Sequence, residues 1–474
     1  MRMKNPTLRA CAISIAALAC PMGAMAAEGN GSEVQNGAGT NLGATSTLYT
    51  AFEASQFVKY KYRQEDFRYA WRNRAYFDYS SHYSHSESFD VDMGLGAFLW
   101  YNSFPKQRNE DVHNLDSKHV SLFISQAQGT YRFGDPEKPI AELALGIFPY
   151  KYNGDVRNLG EYLYRSGAYP NFLLGDFDFA LTRLTGARLS AEPLRGWRND
   201  ILMTTETDIW PHFDWTLGWV TAWKTGGGLL ELGGGVAFTN LISANKDQTD
   251  PRSLKNMYIE NLHSDSALLP GTDIKIEVVT GDTGYYSFRS TKLMGRAALN
   301  PQALFRAPWL GPEDLKLYAE VAVLGWKNYP RPTPSDTLQI NSFYTDRMQR
   351  MPVMFGCNLP AFGILDLLSL EVEWYGLQGP DSYQRRKEDE VPVPQPVDEW
   401  IAKNGSYKDA DYREDNWKWS LYAKKDLVPG CAIVAQAARD HVRHNFDSPV
   451  QLDREEALTR PGQWWWAAKI EFHQ

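Results

Sequence analysis

Beyond its first 26 residues the chain has no run of about 18 apolar residues, the least that carries a helix across a bilayer. Helical membrane spans are thereby excluded on length. Cysteine is scarce as well, four in 474 residues, and Cys11 and Cys20 lie in the N-terminal leader. The fold must stand without a disulfide framework, although Cys357 and Cys431 leave one pairing open. No Cys/His group has metal-ligand spacing, so neither a metal nor another cofactor is expected. A basic stripe is also missing: formal charge is −8, which argues against a nucleic-acid partner. No Gly-x-Ser-x-Gly elbow occurs, and no enzymatic activity is expected.

The N-terminal leader runs against that acidic bias. Met1–Arg9 carries Arg2, Lys4 and Arg9 with no acid, Ala10–Ala19 is apolar, and Ala24-Met25-Ala26 fits a cleavage site. Export with removal of residues 1–26 is expected. Loss of the three basic residues takes the charge from −8 to −11. Residues 27–46, rich in Gly, Asn and Ser, read as a flexible lead-in, and residues 47–474 as one domain.

Aromatic residues are plentiful, with 16 Trp, 25 Tyr and 22 Phe, yet mean hydropathy is only −0.45. Period-two alternation reconciles the two. Phe89, Val91, Met93, Leu95, Ala97 and Leu99 alternate with Asp90, Asp92, Gly94, Gly96 and Phe98. Trp464, Trp466, Ala468, Ile470 and Phe472 likewise oppose Trp465, Ala467, Lys469 and Glu471. Strands of this kind have one lipid-compatible and one water-compatible face. Aromatics fall toward strand ends, so Trp215, Trp219, Trp374, Trp417, Trp464, Trp466 and Phe472 are expected to form lipid-facing girdles.

Connection lengths then alternate long and short along most of the chain, with Trp210–His212 as a tight exception. The fold class is therefore all-β: a transmembrane antiparallel barrel with short periplasmic turns and long extracellular loops. Sixteen strands result if Thr47–Tyr62 is one of them; read as a helix, it leaves fourteen. The opposite faces place Asp90, Asp92, Glu320, Glu371, Glu373 and Lys418 in the lumen. Acids exceed bases there, which predicts a weak preference for cations or neutral solutes. Glycines 94, 96, 218, 233 and 235 on the same faces suit a curved wall.

The segment of greatest functional interest is Asn153–Asp176, after the fifth strand. Asp155, Arg157, Glu161 and Arg165 supply both charges, and Tyr162, Tyr164 and Tyr169 supply flat surfaces for sugar rings. These seven residues are the candidate pore constriction and solute site. The pairs His82/His85 and His441/His444 read as hydrated turns, and Asn245–Pro251 as a solvated loop rather than a Ca²⁺ site.

"NLGEYLYRSGAYP" (Asn158–Pro170), with "TYRFGDPEKP" before it and "TKLMGRAALN" after it, resembles a poorly characterised family of Gram-negative outer-membrane barrel proteins. The resemblance runs from about Trp71 to the C-terminus and implies location and fold, not substrate. The last strand is similar to the C-terminal signal read by the barrel-assembly machinery, with Phe472 as its aromatic, although His473 and Gln474 follow it. General porins, which are often trimeric, fold the loop after their fifth strand into the lumen, which matches Asn153–Asp176 in position. The expectation is an outer-membrane, porin-like channel for passive diffusion of small polar solutes, sugars first, with lipid and the assembly machinery as partners. A closed-lumen structural or surface-attachment barrel is the first alternative, and a barrel enzyme the second.

Overall fold

A computed structural model describes residues 43–58, 60–62, 65–67, 70–103, 117–164, 183–205, 213–244, 257–268, 273, 275–285, 289–304, 307, 309–326, 329–331, 342–344, 347–374, 417–439, 442–443, 456–457 and 464–474. Sixteen antiparallel strands close into one barrel. They are β1 (Ala44–Val58), β2 (Ala70–Ser86), β3 (Phe89–Ser103), β4 (Ser117–Asp135), β5 (Lys138–Pro149), β6 (Arg183–Leu194), β7 (Trp197–Thr205) and β8 (Trp215–Thr225). The second half comprises β9 (Leu230–Ile242), β10 (Ser290–Leu299), β11 (Leu317–Val323), β12 (Val353–Asn358), β13 (Leu367–Trp374), β14 (Trp417–Val428), β15 (Cys431–Arg439) and β16 (Trp464–His473).

Each strand pairs with the next, and β16 returns to β1 in a register running from Tyr49↔His473 to Val58↔Trp464. Closure removes both sheet edges, so backbone donors and acceptors along the wall find partners. The stretch Thr47–Tyr62 is thus a strand as far as Val58, and the count of fourteen falls away. Turns at 87–88, 136–137, 195–196 and 429–430 lie at one end of the barrel, together with the first residues of β1 and the last of β16. The opposite end carries the long connections, including a hairpin of Met257–Leu268 with Lys275–Tyr285 between β9 and β10. The expected tight connection at Trp210–His212 lies outside the described residues.

The alternation read from the sequence is realised in three dimensions. Leu95, Leu122, Ile124, Leu145, Ile201, Leu232, Val321 and Ile433 project outward and exposed, Leu122 to 80%. Their chain neighbours point into the barrel. Trp71, Trp374, Trp417, Trp464 and Trp466 gather on the outer face at the long-loop end, with Trp71 packed edge-on to Trp466 at 5.5 Å. Trp197, Trp223, Tyr131 and Phe133 do so at the short-turn end. Trp215 starts β8, and Trp219 sits midway along it, inside the aliphatic band rather than at its rim. Leaving one such aliphatic side chain in water rather than apolar surroundings costs about 1.5–3 kcal/mol. A belt of them encircling the wall is stable against hydrocarbon, so the strands span a bilayer.

Cys357 and Cys431 are both free, and both sit on outward-facing positions near the short-turn end. They lie on β12 and β15, three strand spacings of about 4.8 Å apart, beyond disulfide reach.

Replacing outward-facing Leu95 with Arg should lower barrel stability in lipid by about 2–4 kcal/mol, read by denaturant titration into vesicles. The same replacement at inward-facing Gln126 should cost much less.

Candidate functional site

Pro149 ends β5, and residues 150–164 turn into the barrel instead of leaving it. Several local features force the turn. The Asn153 side chain accepts the Asp155 N–H at 3.3 Å, Gly160 has φ +98, and Glu161 has φ +62. A non-glycine residue at positive φ carries strain, which is offset here because the Glu161 carboxylate accepts the Asn153 N–H across the loop.

The segment lies on the inner wall of β7 to β13. Val156, Leu159, Tyr162 and Leu163 share a buried core with wall residues Leu202, Val220, Met294, Tyr318, Ala322 and Met354. Inward-facing glycines make room for it. A Cβ on Gly218 would sit 1.6 Å from the Tyr164 hydroxyl, and one on Gly235 would sit 2.6 Å from Leu163 Cδ1. Wall curvature is therefore not their main reason: at these two positions glycine clears space for the inserted segment.

Carboxylates of the wall hold its backbone. Glu371 accepts the successive N–H groups of Arg157, Asn158 and Leu159 at 2.5, 2.8 and 2.8 Å, and also the Tyr318 hydroxyl at 3.0 Å. Glu320 accepts the Tyr152 hydroxyl and Asn153 Nδ2, both at 2.7 Å, and the Tyr162 N–H at 3.1 Å. Glu373 accepts the Tyr162 hydroxyl at 2.5 Å, and Asp200 accepts the Tyr150 hydroxyl at 3.1 Å. Burial, and then the adjacent Glu320 carboxylate, push the Tyr152 phenol well above its usual range, so it remains a neutral donor. At the rim Lys316 binds Asp155 at 2.5 Å; burial alone would lower this ammonium, but the carboxylate overrides it and the net shift is upward.

The sequence-derived site residues therefore divide. Asp155, Glu161, Tyr162 and Tyr164 come together with Glu320, Glu371 and Glu373, but their polar groups mostly face the wall. Arg157 is half-buried and donates Nη1 to the Gly154 carbonyl at 3.1 Å. Arg165 and Tyr169 lie outside the described residues, as do His441, His444 and Asn245–Pro251. Lys418 faces inward and is fully buried. Asp200 was legible from the alternation of β7; Tyr150 carried no such signal.

Across the lumen the wall of β1 to β6 is polar. Arg74 pairs with Glu53, Gln128 donates to Asp92 at 2.8 Å, and Arg132 pairs with Asp90. An aromatic patch interrupts it: Tyr76–Phe98 ring centroids are 4.6 Å apart, Phe98–Phe123 5.2 Å, and Arg183 lies 4.5 Å over Phe123. Near the short-turn end Ser84 Oγ is 3.2 Å from His82 Nε2, and His82 Nδ1 is 2.7 Å from Asp92. The spacing is that of a nucleophile–base–acid relay. Two features work against that role. The Ser84 hydroxyl donates to Asp90 at 2.8 Å, and the Ser84 N–H is taken by the Gly43 carbonyl, so it supplies no oxyanion donor. The group is a hydrogen-bonded lining. His82 and His85 lie on a strand with opposite parity rather than in a turn, and among the described residues no group of three or more His, Cys, Asp or Glu could hold a metal.

Glu371→Ala strips three N–H groups of their acceptor, those of Asn158 and Leu159 buried and that of Arg157 partly so, at about 1–3 kcal/mol each where water cannot replace it. Amide exchange at Arg157–Leu159 should speed up at least tenfold while exchange in β3 is unchanged. A fluorophosphonate probe should leave Ser84 unlabelled; labelling that vanishes in His82→Ala would instead establish an enzyme.

No family model matches the chain, and no curated protein matches it. Among solved structures, OprB of Pseudomonas putida aligns at 9% identity over 91% of this chain and 94% of that one, with TM-score 0.44. OmpF of Salmonella typhi, in complex with daunomycin, aligns at 8% identity over 91% and 98%, with TM-score 0.42. A mutant Rh. blastica porin aligns at 8% identity over 91% and 100%, with TM-score 0.39. At such low identity and score, function has to be read from the wall and inserted segment of this chain itself.

Proposed function

We propose that the protein is an outer-membrane channel for passive diffusion of small polar solutes. The observation that carries this is the asymmetry of the lumen. Residues 150–164 cover the apolar inner face of β7 to β12, so a solute crossing the barrel meets the polar wall of β1 to β6. A fixed inward segment narrows a barrel, and paired charges along the other wall supply hydrogen bonds to replace water on the solute. Sugars are the first solutes to test, with the Tyr76–Phe98–Phe123 patch as a flat surface for their apolar ring faces. Arg157, with Gly154 exposed beside it, is the residue of the inserted segment best placed to meet them.

A closed-lumen scaffold is the second reading, and a specific observation favours it. Inward-facing Lys418, Tyr422 and Trp465 on β14 and β16 are at most 1% exposed, so this side of the lumen is filled as well. In both readings the outward belt places the chain in lipid, and the β16 strand is the segment offered to the assembly machinery.

Purified protein in a planar bilayer separates the two. A channel gives steady current steps, and a sugar series in liposome-swelling assays then ranks permeants by size. Absence of any steady current would favour the scaffold.

A further inference from the structure

One inward-facing cation stands apart from the others. Arg74 grips Glu53, Arg132 grips Asp90, and Arg296 grips Glu231 at 2.5 Å. Arg188 on β6 has no hydrogen bond or ion pair among the described residues, and its buried Nε has no partner. Its guanidinium instead lies 5.3 Å from the centre of the Phe148 ring.

The wall around it is built to hold that posture. In the β5–β6 register Ala144 faces Arg188, Phe148 faces Leu184, and Gly146 faces Gly186 between them. The glycine pair leaves no side chain between Arg188 and Phe148, so the arginine lies along the wall and stacks on the ring. Ser190, next on the same face, has a buried hydroxyl that is likewise without a partner. Two carboxylates flank Ser190 in register, Glu142 on β5 and Asp200 on β7. Neither neutralises Arg188. Glu142 is drawn to Arg132 at 3.6 Å, and Asp200 is engaged by Arg198 at 3.2 Å and by the Tyr150 hydroxyl.

Charged side chains within the span of a membrane protein face its interior cavity, where they mark the path of ions and charged ligands. The planar fork of Arg188 matches the oxygens of a carboxylate or phosphate. We propose that Arg188, with the Ser190 hydroxyl beside it and the Phe148 ring behind it, forms a subsite for the anionic group of a permeating solute, a carboxylate or a phosphate monoester. The proposal rests on the channel reading and reverses the cation preference expected from composition. Of the acids that produced that expectation, Glu320, Glu371 and Glu373 are bound to the inserted segment, Asp90 to Arg132, and Asp92 to Gln128 and His82.

The test uses the full-length barrel in planar bilayers, with benzoate and methyl phosphate as probes. In the wild type each should reduce the chloride current saturably, and the stronger blocker identifies the preferred anion. Arg188→Gln should weaken that block about tenfold, the loss of one charge-assisted hydrogen-bonded contact. It should also shift the reversal potential in a KCl gradient toward cations. Arg188→Lys, which keeps the charge without the fork, should recover the reversal potential but only part of the block. Equal block and equal reversal potentials in wild type and Arg188→Gln would overturn the subsite and leave the channel standing. Should the wild type pass no current, the channel reading fails. Calorimetry with benzoate on the detergent-solubilised protein then decides the subsite alone: no Arg188-dependent heat overturns it.

Discussion

Each barrel strand crosses a depth where the surrounding lipid offers no water to satisfy a backbone N–H or C=O. That constraint dictates closure. A sheet with free margins would leave unpaired donors in hydrocarbon, whereas β16 returning to β1 pairs them through the register from Tyr49↔His473 to Val58↔Trp464. Once the sheet is closed, period two is imposed on every side chain: one set meets lipid and the next meets the lumen. The tryptophans of β16 show both outcomes within three residues. Trp464 and Trp466 face outward, and Trp465 between them is 1% exposed.

Inside the barrel a second constraint operates. The inner face of β7 to β12 is unusually apolar for a surface meant for water, with Leu202, Val220, Met294 and Met354 turned inward. Residues 150–164 cover it and so build a small hydrophobic core within the lumen. The polar backbone of that segment must also be satisfied, and Glu320 and Glu371 do this with multiple accepted hydrogen bonds each. These carboxylates read from sequence as free lumenal charge. Their structural role is to anchor an inserted strap.

Strand alternation made the architecture legible before any coordinates, because period two survives without knowledge of partners. For that reason it assigns Asp90, Asp92, Glu320, Glu371, Glu373 and Lys418 to inward-pointing positions. The inserted segment was legible by position, after the fifth strand, and by its mixture of charge and tyrosine. Which way Tyr162 or Glu161 points was not, since a loop lacks the periodicity that fixes side-chain direction in a strand. The role of Gly218 and Gly235 was equally hidden: the side chains they accommodate lie more than fifty residues earlier, and only register and folding bring them together. Arg188 is not legible in the sequence, because its significance is the lack of a counter-charge, which no pattern along the chain can display.

The central claim is that successive residues of a strand alternate between hydrocarbon and water. Nitroxide scanning of β3 from Phe89 to Leu99, with Cys357 and Cys431 replaced by alanine and the protein in lipid vesicles, tests it most directly. Accessibility to oxygen should peak at Val91, Met93, Leu95 and Ala97, and accessibility to a water-soluble nickel chelate should peak at the residues between them. If both profiles rise and fall together, or neither shows period two, β3 does not form the wall of a membrane barrel and the account is wrong.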